Sequence, residues 1–275
     1  MSDLSMNEIT TFRWSLEEDI ENYCRAGYRS IGVWRQKLAD IDPDLAVDLL
    51  AKSGLQVSNL SCAGGFTGRQ GASLRESIDD AAAAVRLAAA MRAGCLMIYP
   101  GSRNQHTWRH ANRLLRMALD ELLPLAEDCE VRLALEPMHS ACAAEWTFLT
   151  DLESVVRLIA EYGSPYLQLA YDTYHSSWEQ AERDLLSEHV EYVGIVYLGD
   201  RRRPPDIDQE RCPLGAGQLP LDEMLATLLE SGYAGPFDVR LMGPEIEAHD
   251  NWELLEQSRC AFAELIQSSL SRSVL

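Results

Sequence analysis

Val131-Arg132-Leu133-Ala134-Leu135-Glu136-Pro137 is the stretch that decides the fold: an apolar run of strand length that closes on a carboxylate and a proline. Further on, Tyr166-Leu167-Gln168-Leu169-Ala170-Tyr171 runs in the same way into Asp172-Thr173-Tyr174-His175. Each run hands a carboxylate to whatever lies beyond its C-terminal end, which is where a parallel barrel displays its working side chains.

Outward from these two runs, short aliphatic or β-branched segments alternate with longer amphipathic ones rich in Ala, Leu and Glu, the pattern of βαβ units on a parallel sheet. The expected strands are Asn7–Phe12, Arg29–Val33, Gln56–Leu60, Cys95–Tyr99, Val131–Glu136, Tyr166–Asp172, Tyr192–Leu198 and Phe237–Leu241. The helical patterns are Leu16–Ala26, Pro43–Ser53, Leu74–Ala93, Thr107–Cys129, Asp151–Tyr162, Trp178–Ser187, Leu221–Ser231 and Trp252–Ser269. Ser15 precedes acids as an N-cap should, and Gly27, Gly54, Gly94, Gly163 and Gly232 fall just past helices, where a left-handed cap is wanted. Eight such pairs close most simply as a (β/α)8 TIM barrel, expected as a single domain over residues 1–275.

A formal charge of −19 repels phosphate backbones and anionic lipid, so neither nucleic acid nor a membrane surface is an expected partner. The seven cysteines are scattered without a Cys-x-x-Cys pair, which argues against a disulfide framework or a zinc-thiolate site and fits a cytoplasmic location. The N-terminus has no signal-like pattern, and no uncharged apolar run approaches the ~18 residues needed to span a bilayer.

The strand ends carry Trp34-Arg35, Ser61-Cys62, Pro100-Gly101-Ser102, Glu136-Pro137-Met138-His139, Asp172-Thr173-Tyr174-His175, Tyr197-Leu198-Gly199-Asp200 and Arg240-Leu241-Met242. A lone carboxylate in such a place is usually a helix cap or a solvated charge. Two at adjacent strand ends point to a site.

The runs Leu133-Ala134-Leu135-Glu136-Pro137-Met138-His139, Asp172-Thr173-Tyr174-His175 and Leu214-Gly215-Ala216-Gly217-Gln218-Leu219-Pro220-Leu221, with Gly32-Val33-Trp34-Arg35-Gln36-Lys37-Leu38 and Val57-Ser58-Asn59-Leu60 before them, together resemble the sugar isomerase/epimerase family with the xylose-isomerase-like barrel. The resemblance implies a divalent ion, manganese, magnesium, cobalt or zinc, held by Glu, Asp, His and Glu from the fifth to eighth strands. Such an ion grips neighbouring substrate oxygens while carboxylates move a proton at the carbon between them. Glu136 matches the first ligand and Asp172 the second.

The other two positions depart from the pattern. Tyr197 stands where the family has His, and a neutral phenol with a reference pKa near ~10 is a poor ligand for these ions. Arg240 stands where the family has Glu, and a permanent cation cannot coordinate metal. Weak or absent metal binding is therefore expected. Two converging carboxylates need a positive charge between them, and a planar guanidinium can supply it bidentately. The alternative is that Arg240 points away.

His175 resembles a family substrate-binding His, although a lone His there can equally bond a backbone carbonyl. Trp34 and Trp178 offer flat faces to a sugar ring or finish the core. Arg35 follows Trp34 at the same strand end, and His139 either bonds in the pocket or caps its loop. Arg201-Arg202-Arg203 and Gly215-Ala216-Gly217 lie where barrels often hold phosphate, with a solvated loop as the plainer reading of both.

Two functions compete. The first is a sugar or sugar-phosphate isomerase or epimerase in which catalytic work falls to Glu136, Arg240 and His175, with Trp34, Arg35, His139, Tyr197 and Arg201 at the substrate. The second is a metal-independent or non-catalytic member that binds a small polyhydroxylated ligand, with Arg240 in the metal's place. The superfamily's endonuclease branch is excluded, because six His and a charge of −19 suit neither several zinc ions nor DNA phosphates. A sugar-like small molecule is the expected partner, and a homo-oligomer is compatible with the sequence.

Overall fold

The computed structural model describes residues 3–68, 71–143 and 146–272. Eight parallel strands pair in chain order and close on themselves: β1 (Leu4–Asn7), β2 (Ser30–Trp34), β3 (Gln56–Gly64), β4 (Cys95–Tyr99), β5 (Arg132–Leu135), β6 (Leu167–Asp172), β7 (Val193–Leu198) and β8 (Phe237–Val239), with β8 bonded back to β1. The helices between them are α1 (Leu16–Ala26), α2 (Pro43–Ser53), α3 (Leu74–Ala90), α4 (Trp108–Asp128), α5 (Leu152–Tyr162), α6 (Gln180–Glu188), α7 (Leu221–Glu230), a short α8 (Pro244–Glu247) and α9 (Asn251–Arg272). The fold is the (β/α)8 TIM barrel.

Local chemistry sets the helix ends. Ser15 accepts from the Glu18 N–H while Glu18 reaches back to the Ser15 N–H at 2.8 Å, a reciprocal cap that satisfies two amides α1 would otherwise leave open. Gly27 ends α1 at φ 83°, the left-handed conformation that a side chain disfavours.

Strand alternation divides the core in two. Leu96, Ile98, Leu133, Leu135, Leu167 and Leu169 face outward against the helices in one continuous buried cluster, each burial stabilising by about 1.5–3 kcal/mol. Met97, Ala134, Ala170, Ile195 and Tyr197 face the barrel axis. The opposite half of the interior is polar: Asn7 and Asn59 both donate to Asp238 Oδ2, at 2.8 and 2.5 Å. These three side chains explain Gly32, whose absent Cβ would lie 2.4 Å from Asp238 Oδ2 and 2.6 Å from Asn7 Nδ2.

One strand is placed differently from the sequence expectation. The first strand is Leu4–Asn7 rather than Asn7–Phe12. The β-branched Ile9-Thr10-Thr11 run invites the strand reading, but the Ile9 N–H bonds Asn7 Oδ1 at 3.1 Å and the Thr10 N–H bonds Asn7 O at 2.9 Å, turning the chain out of the sheet. Among the described residues no helix is long and apolar enough to cross a membrane.

Candidate functional site

Glu136 stands one residue past β5, Asp172 ends β6, Tyr197 lies in β7 and Arg240 one residue past β8. Their parity along the strands turns all four toward the axis at the C-terminal end of the barrel, and each is at most 3% exposed. Arg240 does not point away. Its Nη2 donates to Glu136 Oε1 at 2.5 Å and its Nη1 to Glu136 Oε2 at 3.0 Å, while Nη2 also meets Asp172 Oδ2. The guanidinium lies 3.7 Å from the ring centroid of Tyr197, whose hydroxyl donates to Asn59 Oδ1 at 2.9 Å.

Two further residues complete the cluster, and the sequence reading assigned neither. Tyr99, the last residue of β4, donates its hydroxyl to Glu136 Oε2 at 2.6 Å. Arg211, from the long loop after β7, binds Asp172 through Nη2 at 2.8 Å and Nη1 at 3.2 Å, and also donates to Arg240 O at 3.0 Å. It lies 4.5 Å from the centroid of the Tyr174 ring. Tyr99 shares the inward parity of Met97 and was within reach of that argument. The sole signal for Arg211 is Gly199, where a Cβ would fall 2.5 Å from Arg211 Nη1.

Two guanidiniums thus face two carboxylates. Burial would raise the Asp172 carboxyl, but Arg211 and Arg240 outweigh burial and hold it below the ordinary carboxylate range. Glu136 is raised by burial, with Arg240 opposing and the Asp172 charge adding to the rise. Burial likewise lowers His175 to about 3, so its imidazole is neutral near pH 7. Both ring nitrogens of His175 are buried without a hydrogen-bond partner, and Nε2 stands 3.6 Å from Glu136 Oε1. A cavity of about 520 Å3 borders the cluster at Asp172 and His175, lined also by Pro137, His139, Ser176 and Glu179 among others.

The remaining expected site residues lie elsewhere or are engaged. Arg35 is engaged: its guanidinium forks onto Asp80 of α3, at 2.8 and 2.5 Å, with Nη1 also 3.3 Å from Cys62 O. Arg201 is engaged as well, since it donates to the carbonyls of Tyr174 and Ser176 and so props the turn after β6. Trp34 is half-buried, and its backbone N–H donates to Glu8 Oε2 at 2.7 Å. His139 lines the cavity while its Nδ1 accepts from the Ala141 N–H at 3.3 Å. The glycine loop is not open to an external anion: Asp200 accepts from the N–H groups of Gly215 and Gly217, each at 3.0 Å, and of Leu219 at 3.2 Å. Arg202 and Arg203 pair with Glu245 and Glu210.

Glu136, Asp172 and His175 are metal-ligating residue types, and one donor atom from each lies within 4.8 Å of the others. The donor set nevertheless does not fit a divalent ion as it is held. Both oxygens of Glu136 and both of Asp172 already accept from guanidinium nitrogens, and a metal between them would stand against a cation that cannot lose its proton.

Comparison with known proteins agrees with the fold. A chain from Sinorhizobium meliloti 1021 superposes with a TM-score of 0.87 over 95% of this chain and 98% of its own, at 22% identity. The IOLI protein with a bound zinc superposes at 0.84 over 98% and 99%, at 19% identity. In sequence, the D-psicose 3-epimerase of Enterocloster bolteae is 28% identical over 118 residues, 42% of this chain and 36% of that one. The inosose isomerase of Halalkalibacterium halodurans is 27% identical over 153 residues, 54% of this chain and 52% of that one. The matched stretches thus span about half or less of these curated relatives. The family described as the xylose isomerase-like TIM barrel matches residues 20–259, and the chain belongs to that family.

Proposed function

We propose that this protein binds a small polyhydroxylated ligand of the sugar or polyol class without a metal ion, in the cavity that Asp172 and His175 line beside Glu136. The observation that carries the reading is the position of the Arg240 guanidinium between the two carboxylates, held on both Glu136 oxygens at 2.5 and 3.0 Å. A second guanidinium, Arg211, leaves the four charges balanced, so the cluster needs no further cation. His175 then supplies the recognition: its neutral imidazole offers one donor and one acceptor to ligand hydroxyls. A cavity of about 520 Å3 is ample for a monosaccharide. All seven cysteines are free thiols, in keeping with a reducing compartment.

A second reading is supported by the raised Glu136 carboxyl and by relatives named as a psicose 3-epimerase and an inosose isomerase. In it Glu136 takes a proton from the carbon beside a ketose carbonyl, and the adjacent Arg240 guanidinium stabilises the charge that develops on oxygen. Glu136 must first loosen its own bonds to Arg240 and Tyr99, which favours the binding reading over this one.

Calorimetric titration of the protein with D-psicose and with an inosose, in chelator and again with added manganese, tests the reading. Equal affinity in both buffers, weakened by His175→Ala, is the expected result. Binding that needs manganese sinks it. Turnover of either compound in chelator moves the assignment to the second reading.

A further inference from the structure

The outward face of α4 is partitioned by charge. Its N-terminal half carries Arg109, Arg113 and Arg116 with no acid, and its C-terminal half carries Asp120, Glu121, Glu127 and Asp128 with no base. This order is the reverse of what the helix itself favours, since peptide dipoles put partial positive charge at the N-terminus and partial negative charge at the C-terminus. The arrangement works against α4 in isolation; neighbouring helices answer part of it, since Glu161 of α5 pairs with Arg116 and Arg75 of α3 with Glu121, and the rest calls for a reason outside the chain.

The exposed stripe along α4 runs Arg109, Arg113, Met117, Asp120, Glu121, Pro124 and Asp128. Met117, 42% exposed, sits near the midpoint, and Trp108, 48% exposed, at the N-terminal end; they are two of the five large hydrophobics left in solvent among the described residues. Among those residues Arg109, Arg113 and the neighbouring Arg157 of α5 have no acidic partner, and with Trp108 they line a groove of about 500 Å3 between α4 and α5.

We infer that α4 is the contact face of a two-fold symmetric dimer, in which it packs antiparallel against α4 of a second copy. An isologous contact requires a surface complementary to itself. A helix positive at one end and negative at the other meets that requirement when inverted on itself. With the axis at Met117, the two Met117 side chains meet and Arg113 of each copy faces Glu121 of the other. The dipoles of the two helices also run opposite and cancel.

A small acidic ligand or an acidic peptide accounts for the arginines but leaves Met117, Glu127 and Asp128 unexplained; within the chain Tyr162 donates to Asp120 and Arg75 of α3 holds Glu121, which Arg113 of a second copy would share. The net charge of −19 on each copy opposes association at long range. At about 0.15 M salt that repulsion is screened beyond roughly 8 Å, while pairs in contact are screened much less. The inference does not depend on what the barrel binds.

Sedimentation velocity on the full chain at about 0.15 M salt is the test. The expected species has twice the 30.8 kDa chain mass. Arg113→Glu and Glu121→Arg should each weaken the dimer at least tenfold, since each sets like charges opposite at both ends. Mixing the two variants, or combining both changes in one chain, should restore it, because either arrangement makes every facing pair opposite again. Both residues are exposed; Glu121→Arg also breaks a surface pair with Arg75, worth little where it is exposed, and circular dichroism checks that the fold survives. A wild-type monomer up to hundreds of micromolar, even one that binds polyphosphate in the groove, overturns the inference. So does a dimer that both single variants leave intact, or one that the double change fails to rescue.

Discussion

Arg240 lies 3.7 Å over the ring of Tyr197, and these are the two residues that stand where the family resemblance calls for metal ligands. The aromatic face and the cation form one unit: the ring supports the guanidinium from below while Glu136 and Asp172 hold its edge.

Arg240→Ala leaves Glu136 buried without its ion-pair partner, whereas Asp172 retains Arg211. Denaturant unfolding at pH 7.5 should show a loss of about 3–5 kcal/mol, the usual cost of breaking a buried pair. The Glu136 carboxyl is already raised in the wild type and rises further without Arg240. A carboxyl raised on folding favours the fold below its unfolded pKa and withdraws that support as pH climbs through the folded value. The loss should therefore be smaller at pH 5 than at pH 7.5, and an equal loss at both would place the cost elsewhere.

Tyr197→Phe keeps the ring beneath Arg240 but strips Asn59 Oδ1 of its donor in a buried place. A destabilisation of about 1–3 kcal/mol is expected. No measurable change would mean that Asn59 finds another donor.

The paired change Tyr197→His with Arg240→Glu supplies two ligand types beside Glu136 and Asp172 and removes one of the two opposing cations, Arg211 staying on Asp172. Its thermal midpoint should climb with manganese concentration, as for any ligand that binds only the folded state. The wild-type midpoint should not move. A wild type stabilised by manganese would contradict the charge balance of the cluster.

Asp238 offers a pH test in the barrel interior. Burial raises its carboxyl to about 6, against the bonds from Asn7 and Asn59. Its contribution is full below the unfolded value near 3.8 and is lost as pH rises through about 6. The loss is on the order of 3 kcal/mol between pH 4 and 7.5, at ~1.4 kcal/mol per pKa unit. Asp238→Asn retains an oxygen for both amide donors and carries no charge, so it should equal or exceed the wild type in stability at pH 7.5 and flatten the profile. A variant less stable than wild type at pH 7.5 would show that the charge is needed there.

Ligand affinity should be level from pH 6 to 8, because His175 is lowered to about 3 and stays neutral throughout. Calorimetry across that range would expose a step near pH 6.5 if the imidazole titrated instead.

The barrel was legible in the sequence because strand and helix periods alternate without interruption and the caps agree with them, except at Gly94, where α3 already ends at Ala90 and Arg92 takes the left-handed conformation at φ 52°. Glu136, Asp172, Tyr197 and Arg240 were legible for the same reason, since each follows an unambiguous apolar run. Arg211 was not. It reaches Asp172 from a loop that folds back so that its N–H bonds Met242 O at 2.9 Å, a long-range closure that no local pattern encodes. The partners of Arg35 and Arg201 were not legible because a strand-end position says where a chain leaves the sheet and not which way a long, flexible side chain turns. Asp80 lies on the following helix and the carbonyls of Tyr174 and Ser176 on a neighbouring loop, and both offered nearer partners than a substrate.

Asp200 gives the glycine loop a standing competitor. Its carboxylate sits, fully buried, among the N–H groups of Gly215, Gly217 and Leu219, and Gly217 is so close that a Cβ there would fall 2.1 Å from Asp200 Oδ1. An incoming phosphate would have to evict an anion that is covalently tethered and therefore present at a high effective concentration. Evicting it would also strand a carboxylate away from water. The loop is in this sense closed to phosphate groups by the protein's own carboxylate.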